Sequence, residues 1–332
     1  MSSVRIFPDE LAASAPGSGR RDALAYAGLA LLGVLVWWGD RFHAAGLPVW
    51  APWEFSPLWF GAATLSLYWY GRGLLRMPAG ERPAFWRQAV FLIGVGALYT
   101  VLQTRFEYLA EHMFFINRIQ HIVMHHLGPF LVALSCPGPV LAKGLPQPIL
   151  SIARARPVRV VMAVIQQPFI AALLFVGLVA LWLVPAIHFR AMLDPVLYNV
   201  MNWSMVVDGL LFWAMVLDPR GRPLARASFA TRAMVAVGVM MPQIALGAII
   251  TFAGRDLYAF YSWCGRIYPS IGPYDDQQYG GLIIWIPAAM MSVIALLVVL
   301  DNMRRFDESQ LKEQDDNADH EHVISSSAWT GR

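Results

Sequence analysis

Residues 120–139 read QHIVMHHLGPFLVALSCPGP and combine three histidines with a long apolar run. The run is close to the length of about 20 residues that a helix needs to cross a bilayer. The whole chain has the same character: of its 332 residues, 57% are hydrophobic and only 14% are charged, and the mean hydropathy is +0.49. Soluble domains carry more charge and fewer apolar residues. The composition therefore predicts an integral membrane protein.

Eight apolar segments have the length of membrane-spanning helices. We therefore predict an all-α fold, a polytopic transmembrane helix bundle of about eight membrane-spanning helices. The segments cover residues 23–39, 56–75, 86–104, 120–142, 160–184, 196–217, 233–253 and 279–300.

The basic residues predict how this bundle lies in the membrane. Nineteen of the 25 Lys and Arg residues fall in one set of alternate connecting segments, and six fall in the other. Because Lys and Arg gather on the cytoplasmic side, both termini are predicted to be cytoplasmic. The chain is therefore expected to be a multi-pass membrane protein. This sorting accounts for the net charge of +3 without a nucleic-acid partner.

Composition divides the chain into three parts. Residues 1–20 and 306–332 are too polar to bury a core, and we predict a disordered cytoplasmic N-terminus and a disordered cytoplasmic tail. Residues 21–305 form the predicted transmembrane helical domain. Its first segment ends with Trp37 and Trp38, where a signal peptide would have a small-residue cleavage site, so we expect an uncleaved anchor.

Two histidines of the opening stretch have the spacing of a metal site. His121 and His125 lie four residues apart on a predicted helix, so their imidazoles rise from one face and can share a metal ion. His126 points about 100° away and is less suited to join them. Imidazole binds copper, zinc, iron or nickel, and thioether sulfur favours Cu(I). Hydrogen bonding of the two rings at the membrane interface is the alternative explanation.

Further polar residues lie near this pair or deep in the bundle. Glu111 and His112 are candidates to supply more ligands or to orient the pair by hydrogen bonds, and a solvated face is the alternative. Asp208 falls near the middle of the bilayer, where a carboxylate is costly, and Gln243 is expected at similar depth. Asp208 would form a hydrogen-bonded bridge between helices or part of an ion or proton path. Asp276 is expected to cap the start of the last helix.

Two motifs resemble the CtaG family of caa-type cytochrome c oxidase assembly factors, which are polytopic bacterial membrane proteins. The opening stretch is similar to the family's QHxxxH-type helix with its apolar run and Gly/Pro break. DDQQYGGLIIWIP resembles the family's DQ-x-x-GG-x-x-x-W-x-P segment before the last helix. LLFWAMVLDP is a weaker match to the aromatic end of a middle helix. The resemblance spans residues 55–302.

The resemblance implies a role in assembling the copper-containing subunit of a respiratory-chain oxidase, with copper as the metal. Tyr198 and Asn202 stand where many members have a second histidine pair, and His188 is the candidate replacement on the same side. The candidate metal ligands are His121 and His125, which match the family's first pair, with His112 and His188. The residues that match the last motif are Asp276, Gln277, Gly280, Gly281 and Trp285.

The leading hypothesis is a plasma-membrane assembly factor, not an enzyme, that binds copper at the outward-facing His121 and His125. It would present copper to cytochrome c oxidase subunits or to a copper chaperone, and its other expected partner is membrane lipid. A copper or proton transporter working past Asp208 is the second hypothesis, and a metal-free membrane scaffold for oxidase subunits is another. A membrane cytochrome is disfavoured because the two histidines share one face, whereas axial haem ligands come from facing positions.

Overall fold

The computed structural model describes residues 18–329, with side chains described for residues 19–312 and for Gln314. This described part is helical, with no strand. Most of the predicted disordered N-terminus, residues 1–17, lies outside the described residues.

The described helices follow one another with short connections. Several begin with proline, whose fixed backbone angle suits the first helical position and whose missing N–H is not needed there. The α-helices are α1 (Ser18–His43), α2 (Pro57–Arg76), α3 (Phe85–Gln103), α4 (Phe106–His112), α5 (Phe114–Ile122), α6 (Gly128–Leu134), α7 (Gly138–Gly144), α8 (Gln147–Arg154), α9 (Arg156–Ile165), α10 (Pro168–Leu183), α11 (Pro185–Leu193), α12 (Pro195–Val216), α13 (Phe229–Gly238), α14 (Met240–Thr251), α15 (Phe260–Cys264) and α16 (Pro273–Trp329). A π-helical segment (Val123–Leu127) joins α5 to α6, and short 3-10 turns cover Ala44–Gly46 and Ala79–Glu81.

All eight predicted apolar segments coincide with helices, but fewer than eight pass as membrane spans. Four helices in the described chain are long and apolar enough to cross a membrane, which makes this a membrane protein. Two bent pairs raise the number to six if each pair is one span. The four are Gly19–Gly46, Phe85–Gln103, Phe229–Thr251 and Pro273–Lys312; the pairs are Phe114–Leu134 with Gly138–Gly144, bent by 80°, and Arg156–Ile165 with Pro168–Leu183, bent by 72°.

The two remaining predicted spans form helices that are too polar to count. α2 carries Arg72, and α12 carries Asn199, Asn202 and Asp208. Several of these polar groups face neighbouring helices: Arg72 pairs with Asp22 of α1 at 2.5 Å, and Asn202 and Asp208 are buried. Eight spans are therefore not confirmed, and the orientation of the termini stays a prediction.

The last helix continues to Trp329, past the boundary at 305 after which the sequence predicts a disordered tail. Arg304 and Arg305 both contact Asp301, and Arg304 also lies 3.6 Å from Glu308. Pairs three and four residues apart are those that stabilise a solvated helix. These local charge pairs therefore support α16 where it continues beyond its apolar part.

One helix lies in the middle of the bundle. We call α5, the π-helical segment and α6 together the central helix (Phe114–Leu134). α16 packs against its first part, α3 against its last part, and α12 against the π-helical segment and α6. Beside it, Phe175 stacks on Phe212 with ring centroids 3.8 Å apart. The polar side chains of the central helix are therefore buried.

Candidate functional site

The π-helical segment changes which histidines share a face. Hydrogen bonds from residue i to i+5 widen the helical turn, and such segments occur often at functional sites. His121 and His126, five residues apart, line the same cavity. The expectation that His126 points away from His121 therefore does not hold, because it assumed a regular α-helix.

The cavity is small and has both polar and apolar walls. Its volume of about 20 Å³ is room for roughly one water molecule. Its lining consists of Arg118, His121, Ile122, His126, Val179, Met205, Gln243 and Ile284. It joins the central helix to α10, α12, α14 and α16.

His125 turns to α12. Its Nε2 lies 3.0 Å from Oδ2 of Asp208, and both side chains are buried. The ring also stacks on Phe175 with centroids 4.0 Å apart. Of the two roles predicted for Asp208, the geometry provides the bridge between helices. The sequence did not reveal His125 as its partner.

Two more buried histidines, His126 and His188, each have a side-chain hydrogen-bond partner on another helix. Nε2 of Gln243 in α14 donates to Nε2 of His126 at 3.2 Å. The hydroxyl of Tyr261 in α15 lies 2.9 Å from Nε2 of His188 in α11. The first bond connects α14 to the central helix, and the second connects α15 to α11.

The four histidines form what we call the imidazole row: His188, His121, His125 and His126. His121 interacts electrostatically with both His188 and His125, and the rings of His125 and His126 have centroids 4.9 Å apart. In each ring one nitrogen is buried without a hydrogen-bond partner: Nδ1 of His125, His126 and His188, and Nε2 of His121. Such atoms are rare in native structures, so four of them in one row require a specific explanation.

His112 lies apart from the row. Its Nδ1–H donates to the carbonyl of Tyr108 at 2.8 Å, and the side chain is half-buried at the end of α4. Its charged neighbour is Glu54. The structure therefore buries three of the four predicted ligands, His121, His125 and His188, in one region of the bundle without joining them in a single metal site, and it leaves out His112.

Three carboxylates gather around α4. Burial, and then the nearby Glu54, raise the pKa of Glu111 to about 7. Burial, followed by repulsion from Glu54 and Glu111, raises the pKa of Glu107 well above its ordinary value. Burial and Asp40 raise the pKa of Glu54, although His112 opposes this. Because the pKa of Glu111 is about 7, this cluster does not carry its full negative charge at neutral pH.

The histidines and carboxylates do not form a conventional metal cage. Within residues 18–329, no three or more His, Cys, Asp and Glu side chains come together as a group that could hold a metal ion. The donors that remain are imidazole nitrogens without partners and the thioether of Met205 at the cavity. This set suits a soft ion of low coordination number and does not suit a harder ion such as Mg²⁺ or Ca²⁺.

Asp276 of the last motif caps a different helix from the one predicted. Its carboxylate accepts the backbone N–H groups of Phe114 at 3.1 Å and Phe115 at 2.8 Å, and it pairs with Arg266. Phe114 and Phe115 are the first residues of α5, whose unpaired N–H groups attract a carboxylate. Asp276 therefore fixes the start of the central helix, and its predicted capping of the last helix is corrected.

The rest of the last motif fastens α16 to its neighbours. Gln277 accepts from the backbone N–H of Leu257 at 2.7 Å. Its amide nitrogen donates to the backbone carbonyls of Ile250 and Arg255. Gly280 lies against Phe114, and Gly281 lies against Thr251 at the end of α14. Trp285 packs on Gly247 of α14. Gly280 therefore packs on the central helix, whereas Gln277, Gly281 and Trp285 fix α16 to α14 and to the chain that follows it.

Tyr198 and Asn202, which stand where many family members have a second histidine pair, face the central helix. Tyr198 donates from its hydroxyl to Oε1 of Gln120 at 3.2 Å, and Asn202 is fully buried beside it.

The sequence placed Arg118 only among the basic residues of the outer segments. The structure buries it on the wall of the cavity, one turn before His121.

Comparisons with known proteins give one kind of match. Neither a curated protein nor a solved structure matches the chain significantly. A family model does match, over residues 66–305, which include the central helix, the imidazole row and the last motif. This range covers most of the 332 residues and agrees with the stretch over which the sequence resembles the family. The chain belongs to the family of cytochrome c oxidase caa3 assembly factors, Caa3_CtaG.

Proposed function

We propose that this chain assists assembly of a caa3-type cytochrome c oxidase by binding copper, as Cu(I), at the imidazole row and passing it on. The family supplies the connection with oxidase assembly. The observation that supports copper is the set of three buried imidazoles, those of His121, His125 and His188, each with one ring nitrogen that has no hydrogen-bond partner.

The energetics of the row favour a ligand. A buried polar atom without a partner costs about 1–3 kcal/mol, and polar groups kept inside a membrane domain are usually functional. A metal ion uses the lone pair of a neutral imidazole, which suits rings inside an apolar bundle. Because imidazole and thioether donors together favour Cu(I), Met205 strengthens the case for this ion.

The same geometry favours transient binding. Without a group of three or more His, Cys, Asp or Glu ligands among the described residues, the row would hold copper by few bonds. Weakly held cargo can be passed to a partner with more ligands. The proposed role is therefore delivery, without catalysis, to a copper-receiving oxidase subunit or a copper chaperone at the plasma membrane.

Oxidase assembly in cells tests the delivery role. A strain that makes a caa3 oxidase but lacks its own factor of this family is supplied with this chain or its variants, and copper per oxidase is measured after purification. We expect the wild-type chain and His112→Ala, which removes a histidine outside the row, to restore the copper content. The double variant His121→Ala, His125→Ala should make protein in the membrane but leave the oxidase short of copper.

A metal-free scaffold is the second candidate, favoured by the missing metal cage in the described residues. It predicts that the double variant restores copper-loaded oxidase as well as the wild type does. That result would remove the copper-binding role and keep the assembly role.

A further inference from the structure

Arg118 is a buried positive charge of the central helix that has no ion pair in the described part of the chain. The residue is 2% exposed, on a helix enclosed by α12 and α16. Arginine stays protonated in proteins, so this charge is permanent. An unpaired charge inside a membrane domain is expensive, and such residues usually have a partner that can be named.

The contacts of Arg118 leave its charge uncompensated. One terminal nitrogen donates to Oδ1 of the neighbouring Asn117, and the guanidinium carbon lies 4.9 Å from the ring centroid of Phe114. Nε is buried and has no hydrogen-bond partner. The phenol of Tyr261 hydrogen-bonds to the guanidinium. The titratable groups that interact with it most are the phenols of Tyr261, Tyr258 and Tyr198, none of which is a carboxylate.

Two other arginines, the buried Arg232 and the partly buried Arg266, have the charge partners or the several carbonyl acceptors that Arg118 lacks. Arg232, 1% exposed, donates to the backbone carbonyls of Arg220 at 2.7 Å and Ser228 at 3.4 Å, and also to that of Asp218. Arg266 pairs with Asp276. The lack of a carboxylate or of several carbonyl acceptors therefore distinguishes Arg118 from Arg232 and Arg266.

The wall of the cavity next to Arg118 includes a hydrogen-bond donor, the ring N–H of His126. Since His126 accepts at Nε2 from Gln243, the proton of its neutral ring is on Nδ1, which is buried without a partner. His121 also has a ring nitrogen without a partner. The cavity of about 20 Å³ has room for roughly one water-sized particle, which admits a monatomic anion and excludes sulfate or phosphate.

We propose that the cavity between Arg118, His121 and His126 binds a small monovalent anion of the halide class, for which chloride is the natural probe. Arg118 provides the charge, and the ring N–H of His126 provides a hydrogen bond. This site does not rest on the copper function. If both exist, the anion neutralises Arg118 and lowers the repulsion that a cuprous ion meets at the neighbouring His121.

Chloride binding to the metal-free full chain tests this proposal. The protein is purified in detergent with a chelator in gluconate buffer, and chloride is added at constant ionic strength. We expect saturable binding of radioactive chloride and a rise in Tm that saturates in the same range. Sulfate should give neither effect.

Matched arginine variants locate the site. Arg118→Gln should weaken chloride binding by at least about tenfold and remove the rise in Tm, because the charge partner is lost. Arg232→Gln removes a buried arginine that does not line the cavity, and this variant should keep the chloride affinity of the wild type. Arg118→Lys, which keeps the charge without the planar fork, should bind chloride more weakly than the wild type but better than Arg118→Gln.

Two results would overturn the proposal. One is the absence of saturable chloride binding by the folded wild-type chain, which would leave water as the occupant of the cavity. The other is unchanged binding in folded Arg118→Gln, which would place the ion elsewhere. If Arg118→Gln does not fold, the comparison of Arg118→Lys with the wild type decides, and equal affinity would contradict the site. The chelator keeps these results independent of copper binding.

Discussion

Glu111 shows how a single buried carboxylate makes the stability of this protein depend on pH. Its pKa is raised from the ordinary value of 4.5 to about 7, chiefly by burial. Between these values the folded chain holds a proton that the unfolded chain has released. The stabilising contribution is complete below pH 4.5 and is lost as the pH rises toward about 7.

Thermal unfolding in detergent should reveal this dependence. We expect the Tm of Glu111→Gln to fall less than that of the wild type as the pH is raised through this window, because the amide cannot lose a proton. Asp275→Asn, which changes an exposed carboxylate near the start of α16, is the control and should keep the wild-type slope. Equal slopes for Glu111→Gln and the wild type would show that Glu111 is not the group that titrates.

The candidate site could be predicted only in part from single residues. The spacing of His121 and His125 predicts a shared metal site, which stays a prediction. The partners of the central-helix histidines could not be predicted, because Asp208 and Gln243 come from helices far away in sequence. Arg118 gave no signal of burial, since an arginine beside a predicted helix end ordinarily reaches water.

At the scale of helices, close contact between α14 and α16 depends on glycine. A Cβ on Gly281 would lie 2.7 Å from the backbone nitrogen of Thr251, which cannot move aside. Gly281→Ala should therefore destabilise the fold by about 1–3 kcal/mol, as overpacking does. A Cβ on Gly177 in α10 would meet no atom within 4 Å, so Gly177→Ala should be neutral or stabilising by up to about 1 kcal/mol.

Denaturant unfolding in mixed micelles compares the two alanine variants with the wild type. A loss of stability in Gly177→Ala as large as that in Gly281→Ala would show that close packing at Thr251 is not the cause.

The positions of the helices were predictable, whereas their bends were not. Long apolar runs indicate helices because a chain in lipid must satisfy its backbone hydrogen bonds internally. The bend of 80° after Leu134 and that of 72° after Ile165 lie at Pro137 and Pro168, which mark a break in a helix but do not set its angle. The π-helical segment likewise leaves no periodicity in its short run that would distinguish it from an α-helix. It is this segment that brings His126 to the cavity beside His121.

At the scale of the whole molecule, the bundle surrounds one polar helix with apolar ones. Asp276 and Gly280 of α16 contact the start of the central helix, and Asp208 of α12 contacts its middle. The apolar exterior was predictable from composition. The polar interior was not, because it arises from residues of several helices that meet only after folding. The predicted orientation, with both termini in the cytoplasm, would place the start of the central helix toward the outside.

Binding of Cu(I) to the purified full chain under anaerobic conditions tests the central claim most directly. We expect the wild type and His112→Ala to bind copper with the same stoichiometry in equilibrium dialysis, and the double variant His121→Ala, His125→Ala to lose that site. The same copper stoichiometry and affinity in the folded double variant would contradict the imidazole row as the copper site.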